Sequence, residues 1–254
     1  MKKFDVAALG ELLVDFTENG ISTQGNPVLE VNPGGAPCNV LSMLQNLGKS
    51  TAFIGKVGDD VFGRMLADAV KTQGINTDNL VVDPEVHTTL AFVHTKKDGD
   101  REFSFYRNPG ADMMLRWEEV QKEKLAQTRI FHFGTLSMTH EQVKDATQRA
   151  VQHAKKEGAL ISFDPNLRPP LWNSLEDAAR QMWYGIGQCD ILKISDDEID
   201  FLTGKKDIDQ GIAEILRKNR PILLCATMGK HGSKAYYQGK SVFGGIAIGH
   251  LCVY

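Results

Sequence analysis

The sequence predicts an α/β fold, a three-layer arrangement in which a mostly parallel sheet is covered by helices on both faces and carries a small β lid. Three observations predict it. Short apolar runs that read as buried strands alternate with segments of helical period, which is the signature of strand–helix–strand units. The 254 residues are 42% apolar and 24% charged, ordinary proportions for a chain that buries a sizeable core. One stretch near residue 100 breaks the rhythm with period-two alternation, as a half-exposed antiparallel hairpin would.

In chain order, Val6 to Leu9 gives the first strand. Leu12 to Phe16 and Val28 to Val31 read as lid strands. A helix follows, with Pro37 near its start, an apolar face of Val40, Leu41, Leu44 and Leu47, and Gly48 as its stop. Ala52 to Val57 is the next strand, and a second helix runs from about Asp60 through Phe62, Met65, Leu66 and Ala69 to Gly74. Residues 88–107 form the hairpin, with Asp98-Gly99 as its turn signal, and the alternation suits a lid open to ligand or solvent. Ile130 to Phe133, Leu160 to Phe163, Ile191 to Ile194 and Ile222 to Cys225 complete the strands. No repeat, linker or low-complexity tract divides the chain, so one domain over 1–254 is expected, with lid strands within 12–32 and 88–112.

Charge and cysteine usage bound the partners. The 29 basic and 32 acidic residues are spread along the chain for a net −3, so no basic stripe offers the counterion release on which nucleic-acid binding depends. Neither a signal-peptide core nor an apolar run of membrane-spanning length is present, and no membrane partner is expected. Cys38, Cys189, Cys225 and Cys252 form no Cys-x-x-Cys pair, which suits free thiols in the reducing cytoplasm.

Several polar clusters fall where open α/β sheets place ligands, just past the carboxyl ends of strands. Asp15 follows Gly10-Glu11 and the first strand, and its carboxylate can accept two hydroxyl hydrogen bonds; a solvated surface acid is the plain alternative. Gly34-Gly35 precedes Asn39 at a helix start, where backbone N–H groups and an amide can hold hydroxyls or an anion, although a tight loop alone would also need those glycines. Asp164-Pro165-Asn166-Leu167-Arg168 puts three phosphate- or metal-competent side chains after one strand. Two decoys fail. Gly48-Lys49-Ser50 has Met43 where a phosphate loop needs its first glycine, and His140-Glu141 has Lys144 where a zinc motif needs a second histidine.

Gly34-Gly35 with Asn39, then a helix, then Val57-Gly58-Asp59-Asp60-Val61-Phe62-Gly63, resembles the first signature of the PfkB, or ribokinase-like, carbohydrate kinases. The resemblance covers about residues 4 to 240 and implies a ribokinase-like fold. It implies that Asp15, Gly34, Gly35 and Asn39 contact sugar hydroxyls, that Phe92 or Tyr106 packs on the sugar ring, and that Arg107 reaches the substrate. Tyr106-Arg107-Asn108-Pro109-Gly110-Ala111-Asp112 is similar to a fructokinase stretch, with a strand-end cation as the alternative reading of Arg107. The Asp164–Arg168 segment resembles fructokinases and 2-keto-3-deoxygluconate kinases. Arg168 is then the phosphate-neutralising catalytic residue, and Asn166 helps order the site. Lys193-Ile194-Ser195-Asp196-Asp197-Glu198 resembles an Asn-x-x-Glu motif with serine in place of asparagine. Its Glu198 would organise magnesium through water, or simply sit at a helix start. Thr227, Gly229 and Gly232 resemble a nucleotide loop, which with Asn166, Arg168 and Lys193 would hold the ATP phosphates.

The implied activity is transfer of the ATP γ-phosphate, with Mg2+, to a primary hydroxyl of fructose. 2-keto-3-deoxygluconate kinase or a non-catalytic sugar or nucleotide binder are the rivals, and a homodimer through the lid is the implied assembly. No acid follows Glu214, so the Gly-Ala-Gly-Asp turn that would supply the catalytic base is absent. The expectation is a kinase domain lacking its C-terminal part, inactive as it stands and prone to association through uncovered sheet surface.

Overall fold

The computed structural model describes residues 2–95 and 101–245. Thirteen strands and seven helices follow in order: β1 (Phe4–Leu9), β2 (Leu13–Ile21), β3 (Pro27–Gly34), α1 (Ala36–Asn46), β4 (Thr51–Gly58), α2 (Val61–Thr72), β5 (Asn76–Asp83), β6 (Leu90–Thr95), β7 (Arg101–Tyr106), α3 (Lys122–Leu125), β8 (Thr128–Gly134), α4 (Glu141–Lys156), β9 (Leu160–Asp164), α5 (Leu175–Gln188), β10 (Ile191–Ser195), α6 (Asp196–Thr203), α7 (Ile208–Lys218), β11 (Leu223–Thr227), β12 (Ser233–Tyr237) and β13 (Lys240–Gly244). All six predicted main-sheet strands, both predicted helices and all four lid strands are present. The Asp98-Gly99 turn lies outside the described residues.

Nine strands form one sheet in the order β13-β12-β11-β10-β9-β8-β1-β4-β5. From β11 to β5 every neighbouring pair is parallel, and only the β11–β12 and β12–β13 pairings are antiparallel. Alternate residues of β1 enter two different cores because a strand sends successive side chains to opposite faces. Val6 and Ala8 pack with Cys38 and Leu41 of α1 and with Leu66 and Val70 of α2. Ala7 and Leu9 join Phe131, Phe133, Phe163 and the apolar faces of α4 to α7.

Cover is uneven. In β10 and β11 the residues Leu192, Ile194, Leu224 and Ala226 are fully buried under the helices. Their alternates Ile191, Lys193, Leu223 and Cys225 are only half-buried. Parallel strands are usually enclosed on both faces, so this half of the sheet has one open side.

The lid is a separate sheet ordered β3-β2-β6-β7. Its back face packs on α2 through Phe16, which meets Phe62 edge-on at 5.6 Å and stacks on Phe92 at 4.8 Å. Its root is clamped by buried polar groups. Asp60 caps α2 by accepting from the Gly63 N–H at 2.7 Å and also accepts from both the N–H and the hydroxyl of Thr88, two residues before β6. Thr89 donates to Asp112 at 2.5 Å, and Arg107, which follows β7, closes the clamp on the same carboxylate.

Candidate active site

A pocket of about 280 Å³ lies between the lid and the carboxyl ends of β1 and β9, and its lining includes Glu11, Asp15, Gly35, Asn39, Asn166 and Arg168. Five of these six were expected from sequence. Asp15 stands on β2 in register with Ala91 of β6, which is in turn opposite Phe105 of β7. Asp15, Phe103 and Phe105 therefore share one lid face, and both rings line the pocket, stacked 5.9 Å apart.

The glycine pair is dictated by what surrounds it. A Cβ on Gly34 would collide with the Asp15 carboxylate, so the absent side chain is what seats that acid. Gly35 holds φ at 121°, a conformation that other residues rarely adopt, and a Cβ there would meet the Glu11 carbonyl. Gly35 brings no side chain to cap α1. Glu11 supplies the cap from across the chain, accepting the Ala36 N–H at 2.8 Å.

Glu11 is 3% exposed, and burial pushes its carboxyl up to about 7 even though backbone donors oppose the shift. Burial also raises Asp15, against the pull of Arg168. The guanidinium of Arg168 lies 5.8 Å from the Phe103 ring centroid and donates to its neighbour's carbonyl, that of Leu167, at 3.1 Å. It is thus poised between the lid and the loop after β9.

That loop is tied down at three points. Asn166 is in the left-handed region at φ 45°, and its N–H donates to Asp164 at 3.2 Å. The Pro165 carbonyl accepts from the Thr135 hydroxyl at 2.6 Å. Glu198 accepts the Leu167 N–H on one oxygen and the Ser195 N–H on the other, each at 2.8 Å. With both oxygens on backbone donors, Glu198 orders the loop and caps α6. Ser195 in place of asparagine keeps the cap, accepting the Glu198 N–H at 3.3 Å.

Lys193 lies beside the pocket on β10, with its ammonium 3.1 Å from the Asp164 carboxylate. Burial raises Asp164 in spite of that cation. Thr227, at the end of β11, is in register with Ser195, and Gly229 and Gly232 bracket the short turn that follows. This row forms a second polar shelf along the same edge of the sheet.

Three expected contacts fall elsewhere. Phe92 and Tyr106 pack together on the back of the lid, 5.2 Å apart, on the parity opposite to Asp15. Arg107 does not line the 280 Å³ pocket. It donates to Asp112 at 2.8 and 2.6 Å, to the Thr139 hydroxyl and to the Leu136 carbonyl, with only 2% of its side chain exposed. Sequence reading passed over Glu11, Phe103, Phe105 and Leu136 as pocket residues. The period-two pattern of Phe103-Ser104-Phe105-Tyr106 separates these rings from Tyr106, but choosing the inward parity needs the β2–β6 register, which the sequence does not print.

The profile of the pfkB family carbohydrate kinases matches residues 3–245. The chain belongs to that family. Over 233 residues it is 43% identical to a probable fructokinase-2 of Arabidopsis thaliana, an alignment spanning 91% of this chain and 71% of that protein. Against fructokinase-1 of Zea mays the identity is 42%, with 91% and 72% covered. Among solved structures, the fructokinase of Xylella fastidiosa superposes with a TM-score of 0.87 at 32% identity, covering 96% of this chain and 75% of that one. Its ATP-bound form gives 0.85, also at 32%, over 96% and 74%. Family membership and fold agree, and the chain is by descent a sugar kinase.

Proposed function

We propose that this is a fructokinase-like kinase whose pocket takes a neutral ketohexose, fructose, and presents a primary hydroxyl to the γ-phosphate of magnesium-ATP. The observation that carries this reading is the make-up of the pocket. Two carboxylates, two amides and two aromatic faces suit hydroxyls and C–H surfaces, and the one cation, Arg168, lies toward the phosphate shelf.

In this reading Asp15 accepts two sugar hydroxyls, Gly34, Gly35 and Asn39 hold others, and Phe103 and Phe105 cover the ring. Arg168 neutralises the transferring phosphate. Asn166, Lys193, Thr227, Gly229 and Gly232 hold the nucleotide, with Glu198 ordering the loop above it. Magnesium arrives with the phosphates, as it commonly does in kinases. Among the described residues no cluster of three metal-competent side chains forms a dedicated site, which suits that mode of delivery.

An acidic sugar such as 2-keto-3-deoxygluconate would need a free cation for its carboxylate. Of the three arginines that could serve it, Arg107 is bound to Asp112, Arg168 lies toward the phosphate shelf, and the Arg101 side chain lies outside the described residues. The neutral substrate is the better match. A structure of the Vibrio cholerae fructokinase double mutant, 27% identical with a TM-score of 0.84, holds fructose, ADP and potassium, which supports the same substrate class here.

Transfer also needs a carboxylate to take the hydroxyl proton. The acids that line the pocket are otherwise engaged in this reading, Glu11 capping α1 and Asp15 holding sugar hydroxyls, so these residues assayed as they stand are expected to bind sugar and nucleotide without turnover. A cytoplasmic setting belongs to the proposal and suits the free Cys38, Cys189 and Cys225. So does a homodimer through the lid, where Val28, Leu29 and Val31 of β3 are exposed. No helix of the described residues is long and apolar enough to cross a membrane. The test is ADP release from magnesium-ATP by this polypeptide with fructose, with 2-keto-3-deoxygluconate and without sugar. Silence in all three is the expected result, and fructose-dependent turnover would show that Asp15, Asp164 or another acid serves as base.

A further inference from the structure

A second cavity, of about 710 Å³, lies along the outer edge of β7, between that strand and residues 170–173. Phe103 and Phe105 line both this cavity and the 280 Å³ pocket, so the two adjoin across one pair of rings. Its other walls are two further aromatics, Tyr106 and Trp172, and the neutral side chains of Ser104, Asn108, Thr139 and Asn173. The one guanidinium in its wall is Arg107, which is neutralised by Asp112.

One feature asks for hydrogen-bonding partners there. Among the described residues β7 is the last strand of the lid sheet, so the backbone groups on its outer side have no described strand beside them. Trp172, 9% exposed, closes the opposite wall with its ring. Aromatic faces combined with neutral donors and acceptors match a carbohydrate, whose C–H faces lie on rings while its hydroxyls pair with amides and hydroxyls. The walls carry no lysine and no unpaired arginine, and besides His140 they are neutral, so a neutral ligand suits them better than a phosphorylated one.

We propose that this cavity is a second neutral-carbohydrate site, contiguous with the first across Phe103 and Phe105. The proposal rests on reading the 280 Å³ pocket as the sugar site. The second sugar is either a free molecule or a unit joined to the one in the first pocket, and titration separates the two.

The experiment is isothermal titration of D-fructose and of sucrose into the wild-type chain, Ser104→Trp, Asn173→Ala and Asp15→Ala. Ser104 is exposed on the parity opposite to Phe103 and Phe105, so an indole there fills the groove and leaves the first pocket intact. Asn173→Ala guards against misfolding of the first variant. Two fructose equivalents in the wild type, with the second lost in Ser104→Trp and weakened in Asn173→Ala, would establish a site for a free second sugar. One fructose equivalent, with sucrose bound at least tenfold more weakly by both groove variants, would establish a site for a linked unit. One fructose equivalent and sucrose affinities unchanged by both variants, or no sucrose binding, would overturn the proposal. Asp15→Ala keeps the failures distinct: it removes only the first equivalent if both sites exist, whereas a folded wild-type chain that binds no sugar refutes the first pocket itself.

Discussion

Glu11 holds a carboxyl that is nearly buried, and its protonation should be visible in stability. Its folded pKa, about 7, lies above the ordinary 4.5, so its favourable contribution is full below pH 4.5 and is lost as pH rises to about 7. Glu11→Gln keeps an acceptor for the Ala36 N–H and removes the titration. The variant should gain on the wild type by up to about 3 kcal/mol between pH 4.5 and 8, because each tenfold rise in the carboxyl's proton affinity is worth about 1.4 kcal/mol. Denaturation curves at several pH values would show this, and wild-type and variant curves that stay parallel would contradict it. At this scale Asp15, Gly35, Asn39, Asn166 and Arg168 were legible as pocket-lining residues because each sits in a short local pattern near a strand or helix end. Glu11, Phe103 and Phe105 were not, because their roles depend on a cross-chain cap and on sheet register. Phe92 and Phe105 are both aromatic residues of the hairpin, and only the parity set by pairing with β2 separates them.

The lid root is an element held by one buried ion pair. Arg107 and Asp112 are each 2% exposed, and removing one partner strands the other's charge. Arg107→Met should cost about 3–5 kcal/mol in chemical denaturation, a typical figure for breaking a buried pair. The double variant Arg107→Met with Asp112→Leu should recover most of that loss if the arginine is a staple. A double variant as unstable as the single one would contradict the staple. Elements with a continuous apolar run, such as β4 and β8, announced themselves in the sequence. β5 did not, because at the sheet edge its residues Asn76 to Asp83 are partly wet and read as a polar loop. The hairpin was legible, but its attachment through Thr88, Thr89 and Asp112 was not, since these residues meet only after the chain has folded.

Across the whole molecule, layer order followed from the alternation of strand and helix, while the one-sided cover of β9 to β11 emerges only in three dimensions. Half-buried Ile191, Leu223 and Cys225, together with Val242 at 71% exposure on β13, make an adherent surface. Light scattering after size exclusion should show mass rising with concentration, and Val242→Lys should reduce it; a strictly monomeric wild type would contradict this. In the proposed function the pocket under the lid holds a neutral ketohexose through Asp15. Calorimetric titration of fructose into the wild type and Asp15→Ala tests it most directly. The account predicts saturable binding that weakens at least tenfold in a variant with unchanged circular dichroism, since two charge-assisted hydrogen bonds are lost, each worth about 1.5–3 kcal/mol. Equal affinity in the two proteins, or no binding by a folded wild type, would contradict it.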